Sequence, residues 1–271
     1  GSVARKGTRV LEESEGEART PREERPVSRP VRTDDGWIDE GPVDGKVLAG
    51  EPRRGGRSEG GARLRIPPEV AAELERNAPN QVERTARRLK EAARAYRRER
   101  YGEARKILEP LARTAPEVAA VRELHGLSLY RLGRWRAAIG ELEAAERLAG
   151  SVEHHPVLAD CRRALGHRHE VDRLWEELRQ GEASPAVVIE GRIVMAAALA
   201  DRGDPAGAIR LLEQGPVEVR KPREHHLRLW YALAAVHEQA GDIARARQLL
   251  RRVLEADAEF PGAWERYRSL H

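Results

Sequence analysis

Five stretches of this chain repeat one arrangement: a turn, a bulky or special residue, two further positions, then Ala (once Val) and an apolar run. They read ERYGEARKILEPL around Ala104, GRWRAAIGELEAA around Ala138, GHRHEVDRLWEEL around Val171, GDPAGAIRLLEQG around Ala208 and GDIARARQLLRRV around Ala246. The steps between those positions are 34, 33, 37 and 38 residues. A period of about 34 is that of a helix–turn–helix unit, which cannot bury its apolar stripe alone and stacks on its neighbours. The sequence therefore predicts an all-α solenoid of about five units. Ile209, Leu211 and Leu212, and then Leu249, Leu250, Val253 and Leu254, carry the matching helical spacing. Aromatics make up only 4% of the chain, while Ala and Leu supply most of its apolar content, a mixture that favours helix over strand.

The chemistry at the breaks is mechanical. Gly133, Gly166, Gly203 and Gly241 fall where a first helix ends and a left-handed residue is needed. Asp204 and Asp242 fit as N-caps of the second helix, and Pro205 suits its first turn. Twelve positions before each alignment point stands a small residue (Ala92, Gly126, Ala159, Ala196, Ala234), which lets paired helices approach closely. The segment 262–270 reads as a closing helix, with Trp264 and Tyr267 spaced to cover the apolar end.

These features together resemble the tetratricopeptide repeat family, over residues 82–260. The matches are the small residue of the first helix, the Gly-Asp turn, an aromatic at Tyr101 or Trp135, the Ala of the second helix, and Pro116 where that family closes a repeat. The third unit departs: Val171 replaces the Ala, Arg168 the aromatic, and Pro156 shortens the first helix. More loosely, the chain is similar to actinobacterial proteins with an Arg-rich tail ahead of such repeats. The resemblance implies a non-catalytic adaptor whose ligands lie in a groove built by the first helices. Carried onto this chain, it places Tyr96-Arg97 and Tyr130-Arg131 at equivalent positions, with Arg163, Arg228 and Tyr231 continuing the lining. Arg offers bidentate contacts to carboxylate and Tyr a rigid ring with a polar tip, so the fitting ligand is an acidic or amphipathic peptide. The same tyrosines could instead pack between helices. Leu89 and Ala93 stand where chaperone-tail-binding members carry Lys and Asn, which argues against that carboxylate clamp.

Residues 1–65 differ in kind, and the repeat domain is expected over 66–271. The tail holds 14 basic and 13 acidic residues, 16 Gly plus Pro, and only 10 of Leu, Ile, Val or Phe. Too little apolar surface is available to offset the entropy of ordering, so disorder is expected. Within it Trp37 and Ile38 lie among Asp34, Asp35, Asp39 and Glu40, as a short docking motif or as chance hydrophobicity in a linker.

Other function classes find little support. No phosphate-cradling loop, dinucleotide fingerprint or paired-His protease helix is present, and residues 66–271 contain only eight Ser, Thr or Asn, so neither catalysis nor a cofactor is expected. His154, His155, Cys161, His167 and His169 lack zinc-ligand spacing and read as a buried Cys with solvent-facing loop histidines. His225-His226 opens a helix and reads as structural. One cysteine, no early signal-like apolar stretch and no long apolar run point to a cytoplasmic protein without a membrane span. The 44 Arg against 5 Lys read as codon bias of a GC-rich genome rather than as selection for phosphate contacts. Residues 84–106 nevertheless carry ten basic against three acidic side chains. There Arg87, Lys90, Arg94 and Arg98 form either a solvated face or a contact surface for RNA, a ribosome or an acidic partner.

Overall fold

A computed structural model describes residues 66–270, together with the backbone of two short antiparallel strands, β1 (Val31–Arg32) and β2 (Ile38–Asp39). The rest of the tail, for which disorder is the expectation, lies outside the described residues.

The repeat region is helical throughout. After a leading helix α1 (Pro68–Asn77) come five pairs: α2 (Val82–Arg97) with α3 (Tyr101–Thr114), and α4 (Ala119–Arg131) with α5 (Trp135–Ala149). Then follow α6 (His155–Ala164) with α7 (Arg168–Gln180), α8 (Pro185–Asp201) with α9 (Pro205–Glu213), and α10 (Glu224–Gln239) with α11 (Ile243–Ala256). A short α12 (Ala263–Ser269) ends the series. Among the described residues no helix is long and apolar enough to cross a membrane.

Sequence alone suggests one continuous domain, but the helices form two compact units, dividing between Ala149 and Gly150. The break has a local cause: Gly150, at φ 61°, stops α5, and Pro156 near the start of α6 confines that helix to 10 residues. In the N-terminal unit α1 packs on α2, α2 on α3, α3 on α4 and α4 on α5. In the C-terminal unit α8 touches α6, α7 and α9, α10 touches α8, α9 and α11, and α11 carries α12.

Burial follows the 34-residue register. Ala104, Ala138, Ala208 and Ala246 are fully buried and Val171 nearly so, as are Ala92 and Ala234 among the small residues of the first helices. Gly126 shows why size matters there. A Cβ on it would lie 2.6 Å from Leu142 Cγ and 3.2 Å from the Leu142 backbone nitrogen, so α4 and α5 could not keep their approach.

The turns inside the pairs repeat atom by atom. At Gly133, Gly166, Gly203 and Gly241 the glycine N–H donates three residues back and the next N–H five back, closing the last helical carbonyls. Asp204 and Asp242 then accept from the N–H groups of Gly207 (2.7 Å) and Arg245 (3.1 Å), as helix N-caps should. The first pair makes the same turn without glycine. Glu99 has φ 59°, its N–H donates to the Tyr96 carbonyl, and the Arg100 N–H donates to the Ala95 carbonyl. A side chain in that conformation costs about 1 kcal/mol, so Glu99→Gly should raise stability by roughly that amount, read as a higher urea midpoint. A lower midpoint would show that Glu99 makes contacts worth more than its strain.

At the C-terminal end the closing helix works differently from the sequence expectation. Phe260, Ala263 and Leu270 are the buried residues, whereas Trp264 is 52% exposed. Tyr267 is half-buried, stacked beside Trp264, with the Arg247 guanidinium 4.7 Å from its ring centre. Arg247 also donates to the Leu270 carbonyl, tying α12 to α11.

Candidate partner-binding surfaces

The Tyr-Arg pairs sit at the C-terminal ends of α2 and α4, and their two residue types do different things. Tyr96 and Tyr130 are buried, each meeting the first aromatic of the following helix edge-on: Tyr96 with Tyr101 at 5.2 Å, Tyr130 with Trp135 at 5.5 Å. Packing between helices is thus their visible role. Arg97 is exposed. Arg131 is half-buried and reaches back to the preceding pair, donating to the Tyr101 hydroxyl at 2.5 Å with its guanidinium 4.8 Å from that ring centre. Burial raises the Tyr101 hydroxyl above its usual range against the pull of Arg131.

In the C-terminal unit three residues expected to line a groove have internal contacts. Arg163 bridges α6 and α8, donating to Asp160 at 2.9 Å and Asp201 at 2.8 Å. Arg228, on α10, is 5% exposed and donates to Glu190 on α8, which is equally buried. Burial disfavours its charge and lowers its pKa from the arginine value, and the Glu190 carboxylate supplies the opposing charge. Little of Arg228 is left to offer a partner. Tyr231 is half-buried, with Phe260 at 5.5 Å and the Arg266 guanidinium at 5.4 Å, and so helps to seat the chain leading into α12.

The basic stretch divides along α2. Arg88 pairs with Glu91 (3.0 Å), Arg100 with Glu103 (3.6 Å) and Arg105 with Glu109 (3.1 Å). Arg87 and Arg94 are exposed and Lys90 half-buried, and these three make no ion pair among the described residues. Arg97 and Arg98 continue the exposed stripe. Trp37 of the tail motif lies outside the described residues, and for Ile38 only the backbone of β2 is described.

Histidine placement departs from the sequence reading. His154 and His155 are buried, and His155 Nε2 lies 3.1 Å from Glu177 Oε2. Cys161 is fully buried, which pushes its thiol well above the usual range. His226 accepts the Arg223 N–H at 2.9 Å and so closes the start of α10, while burial, then His226 and Arg223, pull His225 down to about 4. Among the described residues no three His, Cys, Asp or Glu side chains group as a metal site.

One feature has no counterpart in the sequence reading: a cleft of 620 Å³ between α3 and the α4–α5 pair. Arg122 donates to Glu141 at 2.8 Å on one wall, and His125 Nδ1 lies 3.3 Å from the same carboxylate. Burial raises the Glu141 carboxyl, but His125 and Arg122 outweigh it and hold the group below its usual value. The lining comes from three helices, so no local spacing announces it.

The pairs, their buried small residues and their recurring glycine turns are the geometry of a helical repeat. Residues 199–271 match the tetratricopeptide repeat model. That span holds the end of α8, all of α9 to α12 and two of the Gly-Asp turns. The tetratricopeptide likeness supports a repeat protein of the kind that mediates protein–protein contact. The first two pairs lie outside the match, yet they carry the same turn hydrogen bonds and the same buried Ala positions. No curated protein matches the sequence.

Proposed function

We propose that this protein is a non-catalytic protein-binding scaffold whose N-terminal unit takes an acidic peptide segment. The observation that carries the reading is where the cations lie. Residues 66–149 hold 17 basic and 13 acidic side chains, against 18 and 19 in residues 150–271. Within that basic unit Arg87, Arg94 and Arg97 stand exposed along α2. Exposed Arg groups suit carboxylates, because the planar guanidinium fork donates to both oxygens. The tetratricopeptide match agrees with a binding role. Arg97→Glu should weaken a fluorescent octaglutamate peptide in anisotropy titrations by about fivefold, given the modest strength of an exposed charge contact. Unchanged affinity would remove Arg97 from the contact surface.

A second reading has its own observation: Arg87, Lys90 and Arg94 share one flank of α2 without ion-pair partners among the described residues. Such a stripe fits the phosphates of RNA. Reversing all three to Glu should then abolish oligouridylate binding, and weaker single reversals should flatten its salt dependence by about 0.7 per lost phosphate contact. Retained binding with an unchanged salt slope would end the RNA reading.

A further inference from the structure

We infer that the cleft between α3 and the α4–α5 pair is a second docking site for an acidic peptide, separate from the Tyr-Arg positions. The inference rests on the protein-binding reading above and adds a location and a chemistry to it. Five arginines line the cleft, Arg105, Arg113, Arg122, Arg134 and Arg136, against two carboxylates, Glu109 and Glu141. Arg105 is held by Glu109 at 3.1 Å and Arg122 by Glu141 at 2.8 Å. That accounts for both carboxylates. Arg113, Arg134 and Arg136 are exposed and make no ion pair among the described residues, so three positive charges converge on one depression without an internal counter-charge.

His125 forms part of the floor at 6% exposure, its Nδ1 3.3 Å from the Glu141 carboxylate, so the imidazole sits with Arg122 around one wall carboxylate and leaves the rim arginines as the open charges. Beside it lie Leu129 and Ala112, both buried. Guanidinium groups at the rim and an apolar strip below match a segment that alternates carboxylates with short apolar side chains. The depression measures 620 Å³ and is open to solvent, leaving room for a few residues of a peptide laid across it. No Trp, Tyr or Phe lines it, so it offers no platform for stacking nucleic-acid bases.

The site is also distinct along its helices. Arg122, His125 and Leu129 follow one another by three and four residues on α4, one face of that helix, while Arg131 is directed to Tyr101.

The test uses the full chain and two probes of equal length, labelled octaglutamate and octauridylate. The variant is Arg113→Glu, Arg134→Glu, Arg136→Glu, which changes exposed side chains only, and circular dichroism confirms its folding. Octaglutamate should bind the parent chain and weaken by about tenfold or more in the triple variant, because charge-assisted contacts become repulsive. A photo-crosslinking residue placed at Ala137, on the cleft wall, should label the bound peptide. Affinity that survives the triple reversal but falls with Arg97→Glu overturns the cleft and leaves the scaffold reading standing. No crosslink at 137 likewise overturns it, since the charge effect would then be long-range. Octauridylate binding that the triple variant abolishes, with no octaglutamate binding, overturns both in favour of nucleic acid.

Discussion

Replacing Arg228 with alanine should lower the unfolding free energy of the C-terminal unit by about 3–5 kcal/mol, among the largest effects of a single substitution in this protein. Arg228 and Glu190 are each 5% exposed and face one another across α10 and α8. Their mutual attraction offsets two desolvation penalties, and removing the cation leaves a carboxylate enclosed without its counter-charge. Glu190→Ala should cost a similar amount for the converse reason. The pair is not thereby a net source of stability. Arg228→Met combined with Glu190→Leu keeps volume and removes both penalties, so it should lie near the parent or above it. Urea denaturation followed at Trp230 separates the cases. If Arg228→Ala lost less than about 1 kcal/mol, the enclosed ion pair would not exist in solution.

The second large effect is expected at Trp230, which joins three parts of the same unit. Its ring is 2% exposed, its Nε1–H donates to the Val217 carbonyl at 2.8 Å, and the Arg252 guanidinium lies 4.0 Å from the ring centre. Arg252 in turn holds Glu218 through two bonds of 2.8 and 2.9 Å. The indole therefore anchors the connection between α9 and α10 onto α11. Trp230→Ala removes a large buried surface and leaves a cavity, a loss of about 3–5 kcal/mol. Trp230→Phe should keep much of the packing but give up the hydrogen bond, costing roughly 1–2 kcal/mol. Amide exchange at residues 217–219 should accelerate in both variants. Exchange unchanged there in Trp230→Ala would show that the connection is held by other contacts.

These two residues illustrate how much of the molecule could be read in advance. The five alignment positions, the small residues twelve places before them and the two Asp caps follow from local spacing, and all take the structural places that spacing assigns. Glu99 escaped the reading because the turn it makes is normally marked by glycine, although the 34-residue register from Gly133 pointed to it. Arg228 looked like a surface cation because its counter-charge stands 38 residues away. His154 and His155 read as solvent-facing loop side chains, yet they stand at the start of a helix whose packing buries both. Trp264 went the other way, its helix turning Ala263 inward and the indole out.

Sequence by itself determined the helices, their pairing and the turns between them, because each depends on residues within one turn or one repeat of each other. Tertiary structure decided which charges are enclosed, which are neutralised and which stay open. The cations of the cleft and the Arg228–Glu190 pair come from separate helices, and electrostatic and burial energies depend on distances in space that no spacing along the chain encodes.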